Sequence, residues 1–201
     1  MSRVRIVVAF LALAVAASVA VPGPGASTPK TLPGLMIGKA PWPANDGSTL
    51  RARLKDIGLD ALPVEGLKLH IHVHLDIVID GRVLNGLPAL IGINIPQQFI
   101  TELHTHDTSG IIHVESPKIR KFTLGEFFDV WGLRFSSKCL GGYCAAGAKH
   151  IWVWVNAKRV LTDPRAIVLK SHQEIVVAYG TAASIKIPGP IPAAYPFPKG
   201  Y

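Results

Sequence analysis

Residues 69 to 79, Leu-His-Ile-His-Val-His-Leu-Asp-Ile-Val-Ile, constrain the fold more than any other segment. Polar and apolar side chains alternate along it. In a strand, successive side chains point to opposite faces. A strand here puts His70, His72, His74 and Asp76 on one face and Ile71, Val73, Leu75, Ile77 and Ile79 on the other. The chain must therefore build a sheet with an apolar core on one side and a row of imidazoles on the other.

Further strand signals surround it. Asp80-Gly81 closes the long strand with a hairpin turn, and Arg82 to Leu84 and Ala89 to Ile95 are the candidate return strands. Ile111 to Glu115 alternates again, with His113 and Glu115 opposite Ile112 and Val114. Thr123-Leu124-Gly125-Glu126 has the spacing of a capping box. It opens one helix, with Leu124, Phe127, Phe128 and Trp131 on its packing face and Gly132 as the stop. His150 to Val155 and Glu174 to Tyr179 read as later strands, with a turn at Asn156-Ala157-Lys158. The expectation is an α+β domain, a mixed β-sheet with one packed helix. The order strand-strand-helix-strand-strand is that of a β-grasp domain. The alternative is an all-β sandwich or barrel with one helix across an end.

The first 20 residues read as a signal peptide. Arg3 and Arg5 precede an apolar run of roughly 16 residues, short of the ~20 that span a bilayer. Ser18-Val19-Ala20 supplies the small residues of a cleavage site, and retention as a membrane anchor is the other reading. No later run is long enough to span a membrane. Residues 21–60 are a Pro/Gly-rich linker and lead-in, 61–185 the histidine-rich α+β domain, and 186–201 a Pro-rich tail, laid across the domain or disordered. The expected location is secreted or extracytoplasmic, with cell-surface association suited to the basic charge. Cys139 and Cys144 flank Leu-Gly-Gly-Tyr, and in an oxidising compartment a disulfide is the expected pairing. Loss of Arg3 and Arg5 lowers Lys plus Arg from 21 to 19, which against 13 acidic residues leaves a charge of +6. The densest basic patch, Lys118, Arg120 and Lys121, is too small to argue nucleic-acid binding. The residues name no protein partner.

The stretch from Leu103 to Pro117, Leu-His-Thr-His-Asp-Thr-Ser-Gly-Ile-Ile-His-Val-Glu-Ser-Pro, is followed by Phe-Thr-Leu-Gly-Glu-Phe-Phe-Asp-Val-Trp-Gly. Together with the His-x-His run and Gln-Glu-Ile-Val-Val-Ala-Tyr-Gly, it resembles a signature of uncharacterised secreted bacterial and archaeal proteins. The resemblance covers about residues 65 to 180. It implies a shared fold and shared histidines, and it carries no activity.

Better characterised sites fit poorly. A cupin places a Glu four or five residues after its His-x-His pair, where this chain has Gly110 and Ile111. A type 1 copper site uses a Cys, a His and usually a Met near the C-terminus, and no Met follows Met36. His104-Thr105-His106-Asp107 lacks the final His of a metallo-β-lactamase motif. The His-Glu-x-x-His zinc-protease motif, the Gly-x-Ser-x-Gly elbow and a phosphate-binding Gly loop are all absent.

The histidines themselves point to a metal. Imidazole is the commonest side-chain metal ligand, and two histidines at i and i+2 on a strand reach one ion from the same side. His72 and His74 are the candidate pair and His113 the third ligand. His104 and His106 cap this site or form another, and Asp107 ligates or orients an imidazole. The cofactor is a divalent transition ion, zinc or copper, and that ion is the one partner implied. His150 and His172 read as structural. Asp107 to Gly110 reads as a turn, and Ser109 paired with His106 or His113 as a nucleophile lacks support. Three functions stay open: a secreted metal-binding protein, a histidine-ligated metalloenzyme of hydrolase or oxidase type, and a structural or interaction domain at the cell surface. No catalytic residue is assigned, although Glu115 is the best general-base candidate if an enzyme is present.

Overall fold

The computed structural model describes residues 31–44, 47–185 and 194–201 of the chain. The proposed signal segment lies outside the described residues. The elements run α1 (Leu50–Ile57), β1 (Ala61–Leu62), β2 (Leu69–Ile79), β3 (Arg82–Val83), β4 (Ile93–Asn94), β5 (Phe99–Thr101) and β6 (Leu103–His104). They continue with β7 (Ile111–Ser116), α2 (Leu124–Trp131), β8 (Cys139–Leu140), β9 (Tyr143–Cys144), β10 (His150–Val155), β11 (Lys158–Arg159) and β12 (Gln173–Gly180).

The main sheet has seven strands in the order β11-β10-β12-β2-β7-β6, with β3 paired to the far end of β2. Only β12 and β2 run parallel; the other pairs are antiparallel. The first long strand and the last therefore lie side by side in the middle. Each carries its own antiparallel neighbour, and α2 connects the two halves. This is the β-grasp connectivity, and the sheet stays open rather than closing into a barrel.

Local chemistry explains the elements. The β2–β3 hairpin turns through Asp80 and Gly81, both at positive φ (49° and 84°), as a two-residue turn matched to strand twist requires. At α2, Glu126 N–H donates to Thr123 Oγ1 (3.3 Å) and Thr123 N–H donates to Glu126 Oε2 (2.7 Å), so the capping box is present. Gly132 ends the helix in the left-handed region. Between these caps, Leu124, Phe127, Phe128, Val130 and Trp131 are buried against the apolar sheet face. Val73, Leu75 and Ile77 of β2, Ile112 and Val114 of β7, and Ile175 and Val177 of β12 supply that face. Each such side chain, fully buried, contributes about 1.5–3 kcal/mol.

Three expectations need correction. Among the described residues there are two α-helices, not one. The segment read as lead-in contains α1, and Trp42, Leu50 and Leu54 join the core. Arg53 is buried too, donating to the Pro33 carbonyl (2.8 Å) and the Val130 carbonyl at the end of α2 (3.1 Å). One helix of eight residues with a single apolar turn leaves too short a period to read. The compact unit thus begins at Thr31. Third, Ala89 to Ile95 does not return along β2. Leu90 and Gly92 adopt positive φ, and only Ile93–Asn94 is extended, pairing with β5 in a separate sheet of order β1-β5-β4.

Cys139 and Cys144 form a disulfide, directly opposite each other in the β8–β9 hairpin. Among the described residues no helix is long and apolar enough to cross a membrane. Residues 194–201 have no helix or strand, and their aromatic rings lie against the histidine face of the sheet.

Candidate metal centre

Register decides which side chains meet. In the β2–β7 pair, His70 lies opposite Glu115 and His72 opposite His113. On the other edge of β7, His104 of β6 also lies opposite His113. Opposed residues point to the same face. The middle strand thus carries His113-Val114-Glu115, flanked by His70-Ile71-His72 on one side and His104-Thr105-His106 on the other. Glu115 is buried at the centre and His104 is fully buried. His70 and His106 are exposed at the rim.

The ligand atoms form two overlapping sets, His70, His72, His113 and Glu115, and His104, His106, His113 and Glu115. Within each set one atom per residue lies within 4.8 Å of all the others. The Nε2 atoms of His70 and His72 are 3.2 Å apart, as are those of His104 and His106. Glu115 Oε1 is 3.3 Å from His70 Nε2, and Glu115 Oε2 is 3.9 Å from His104 Nε2. His106 Nε2 also approaches Glu65 Oε1 at 3.4 Å.

The hydrogen bonds choose the tautomers. His104 Nδ1 lies 2.9 Å from the Thr101 carbonyl oxygen. A carbonyl only accepts, so Nδ1 carries the hydrogen and Nε2 presents its lone pair. His113 Nδ1 lies 2.9 Å from Glu115 Oε1, with the same consequence when that carboxylate is ionised. Burial pushes the His104 pKa down to about 4, against the opposing pull of the Thr101 hydrogen bond. Burial, then the neighbouring His113 and His70, lower His72 to about 4. Burial alone would raise Glu115; the His113 hydrogen bond and the surrounding histidines outweigh it and hold the carboxyl below its ordinary value. Near pH 7 His72 and His104 are therefore neutral and Glu115 is ionised. Glu115 Oε2 is buried and has no hydrogen-bond partner.

His74 stands apart from His72, its expected partner, and falls in a different group of possible ligands. It lies on the same face, but its Nδ1 is 2.8 Å from Glu174 Oε2 and its Nε2 is 2.9 Å from the Ser109 carbonyl. Both nitrogens are taken. Parallel pairing of β12 with β2 sets Glu174 beside His74. Burial lowers His74, but the Glu174 hydrogen bond and charge outweigh it and raise its pKa. Burial in turn raises Glu174, with His74 opposing. The pair thus holds a shared proton into the range where a free histidine loses it. Asp76 completes a third cluster with these two. Asp107 is exposed and accepts from Ser109 N–H (2.8 Å), a turn contact. His150 lies exposed at the start of β10, and His172 Nε2 sits 2.8 Å from the Tyr201 carbonyl.

Residues 194–201 cover part of this face. The Tyr195 ring stacks on His74, with centroids 3.7 Å apart and planes at 8°. The Tyr201 ring sits 4.5 Å from His72 and 5.5 Å from His113. Sequence reasoning did not place these tyrosines, nor Glu174 and Glu65. Glu174 left a signal: it is a lone carboxylate in an otherwise apolar strand. Comparison with models of known protein families, with curated proteins and with solved structures finds no match.

Proposed function

We propose that this is an extracytoplasmic metal-binding protein that holds a divalent transition ion, zinc or copper, on its histidine face. One observation carries the reading. The lone pair of His104 Nε2 faces the unpartnered, buried Oε2 of Glu115 at 3.9 Å, and neither atom carries a proton near neutral pH. A cation between two such electron-rich atoms in a buried site relieves their repulsion and satisfies the orphaned carboxylate oxygen. Neutral imidazole with its other nitrogen fixed by a carbonyl or carboxylate is the form in which histidine ligates metals. The disulfide and the signal-like N-terminus support an oxidising, extracytoplasmic setting.

The test is titration of the metal-free full chain with Zn²⁺ or Cu²⁺ at pH 7.5, read by calorimetry and elemental analysis. Wild type and His150→Ala should take up ion tightly and release protons. His72→Ala/His113→Ala should lose most of that uptake. Should the pair disturb folding, His70→Ala/His106→Ala at the exposed rim perturbs the core less and should likewise lose tight uptake. No uptake by wild type, or unchanged uptake by both double variants, would overturn the reading.

A further inference from the structure

Resting on that metal-binding reading, we propose that the site is dinuclear: two ions, each held by one His-x-His pair and bridged by the two carboxylate oxygens of Glu115. The arrangement about β7 is nearly symmetrical. His70 and His72 approach from β2, and His104 and His106 approach from the opposite edge. Both pairs have an Nε2–Nε2 separation of 3.2 Å. Two nitrogens bound to one tetrahedral ion at ~2.0–2.1 Å stand about 3.3 Å apart, so each pair is spaced for an ion of its own.

Glu115 divides its oxygens between them. Oε1 faces His70 Nε2 at 3.3 Å, and Oε2 faces His104 Nε2 at 3.9 Å. The first is the spacing of two ligands on one tetrahedral ion, and the second is wider and would have to close on binding. The His113 hydrogen bond occupies one lone-pair direction of Oε1 and leaves the other. Oε2 has no hydrogen-bond partner. A carboxylate bridging through separate oxygens is suited to ions ~3.5–4 Å apart. His113 belongs to both ligand sets, and with Nδ1 held by Glu115 the nitrogen it has left to offer is Nε2. One ion shared by all five histidines fits less well, because the ligand atoms separate into two sets that overlap only at His113 and Glu115.

A single ion would leave one His-x-His pair unused. Two ions use both pairs and leave open positions for water or an anionic ligand. The exposed rim residues His70 and His106 make the two halves separately removable.

Native mass spectrometry of the full chain with Zn²⁺ counts the ions. Wild type should carry two, and His70→Ala and His106→Ala should each carry one tight ion, the double variant neither. Loading with Cu²⁺ gives a second readout independent of any variant. A bridged pair should show the half-field paramagnetic resonance signal of coupled Cu²⁺ ions, and Glu115→Gln should abolish it. One ion in wild type, lost in both single variants, would overturn the dinuclear site and leave the metal-binding function standing. Two ions without half-field coupling would overturn the Glu115 bridge. No ion at all would overturn the function itself.

Discussion

At the scale of single residues, the same side chain does opposite things a few positions apart. Burial holds His72 and His104 toward the neutral form, and Glu174 holds His74 toward the protonated one. Their contributions to stability have opposite signs with pH. A histidine lowered from 6.5 to about 4 favours the fold above 6.5, and that contribution disappears as pH falls toward 4. For fully buried His104 the shift corresponds to at most about 3 kcal/mol. The His74–Glu174 pair acts the other way, its histidine stabilising below 6.5 and losing effect as pH rises through the raised value. The metal-free protein should thus lose stability between pH 6.5 and 4, measured as urea midpoints across that range. His104→Gln should flatten the slope, and a flat wild-type profile would contradict the neutral assignment of His72 and His104. Strand alternation brought His70, His72, His74 and Asp76 to one face in advance. It did not say which nitrogen each ring would offer, because tautomers depend on acceptors such as the Thr101 and Ser109 carbonyls, contributed by turns.

At the scale of elements, α2 is the piece most fully written in local code. Its cap, apolar face and glycine stop are consecutive in the chain, and each contributes within one turn. Thr123→Ala removes the acceptor for Glu126 N–H and the anchor of its carboxylate. It should destabilise the domain by about 1 kcal/mol, seen as a lower urea midpoint with an unchanged slope. An unaffected midpoint would mean that packing of Phe127, Phe128 and Trp131 alone fixes the helix start. The short elements were less legible. α1 has one apolar turn, and its anchor is Arg53, a charged residue whose burial depends on the Pro33 and Val130 carbonyls. A guanidinium meeting carbonyls distant in sequence leaves no periodic trace.

At the scale of the whole molecule, residues 194–201 bear on how the histidine face meets solvent. Tyr195 stacks on His74 and Tyr201 lies tilted against His72, so an ion bound on this face would pass beneath or beside them. Deleting these residues should leave the number of bound ions unchanged and accelerate both loading and extraction by a chelator several-fold, in stopped-flow measurements. Equal rates would mean that the tail packs without gating the site. Proline and aromatic content identified this tail as non-helical, but not where it docks. Its docking depends on ring stacking against side chains more than a hundred positions earlier.

What the chain determined by itself is periodic or contiguous. Alternation made β2 and β7 one-sided strands, the capping box made α2, and the glycine loop between Cys139 and Cys144 made the disulfide hairpin. The order of elements along the chain was legible as well, strands on either side of one capped helix, but not their order in the sheet. The tertiary structure alone decided which histidines became neighbours. The parallel pairing of β12 with β2 brought Glu174 to His74 and withdrew that ring from the cluster. The antiparallel registers on both edges of β7 placed Glu115 between two His-x-His pairs. Register is set by hydrogen bonding and core packing summed over whole strands, so no short motif encodes it.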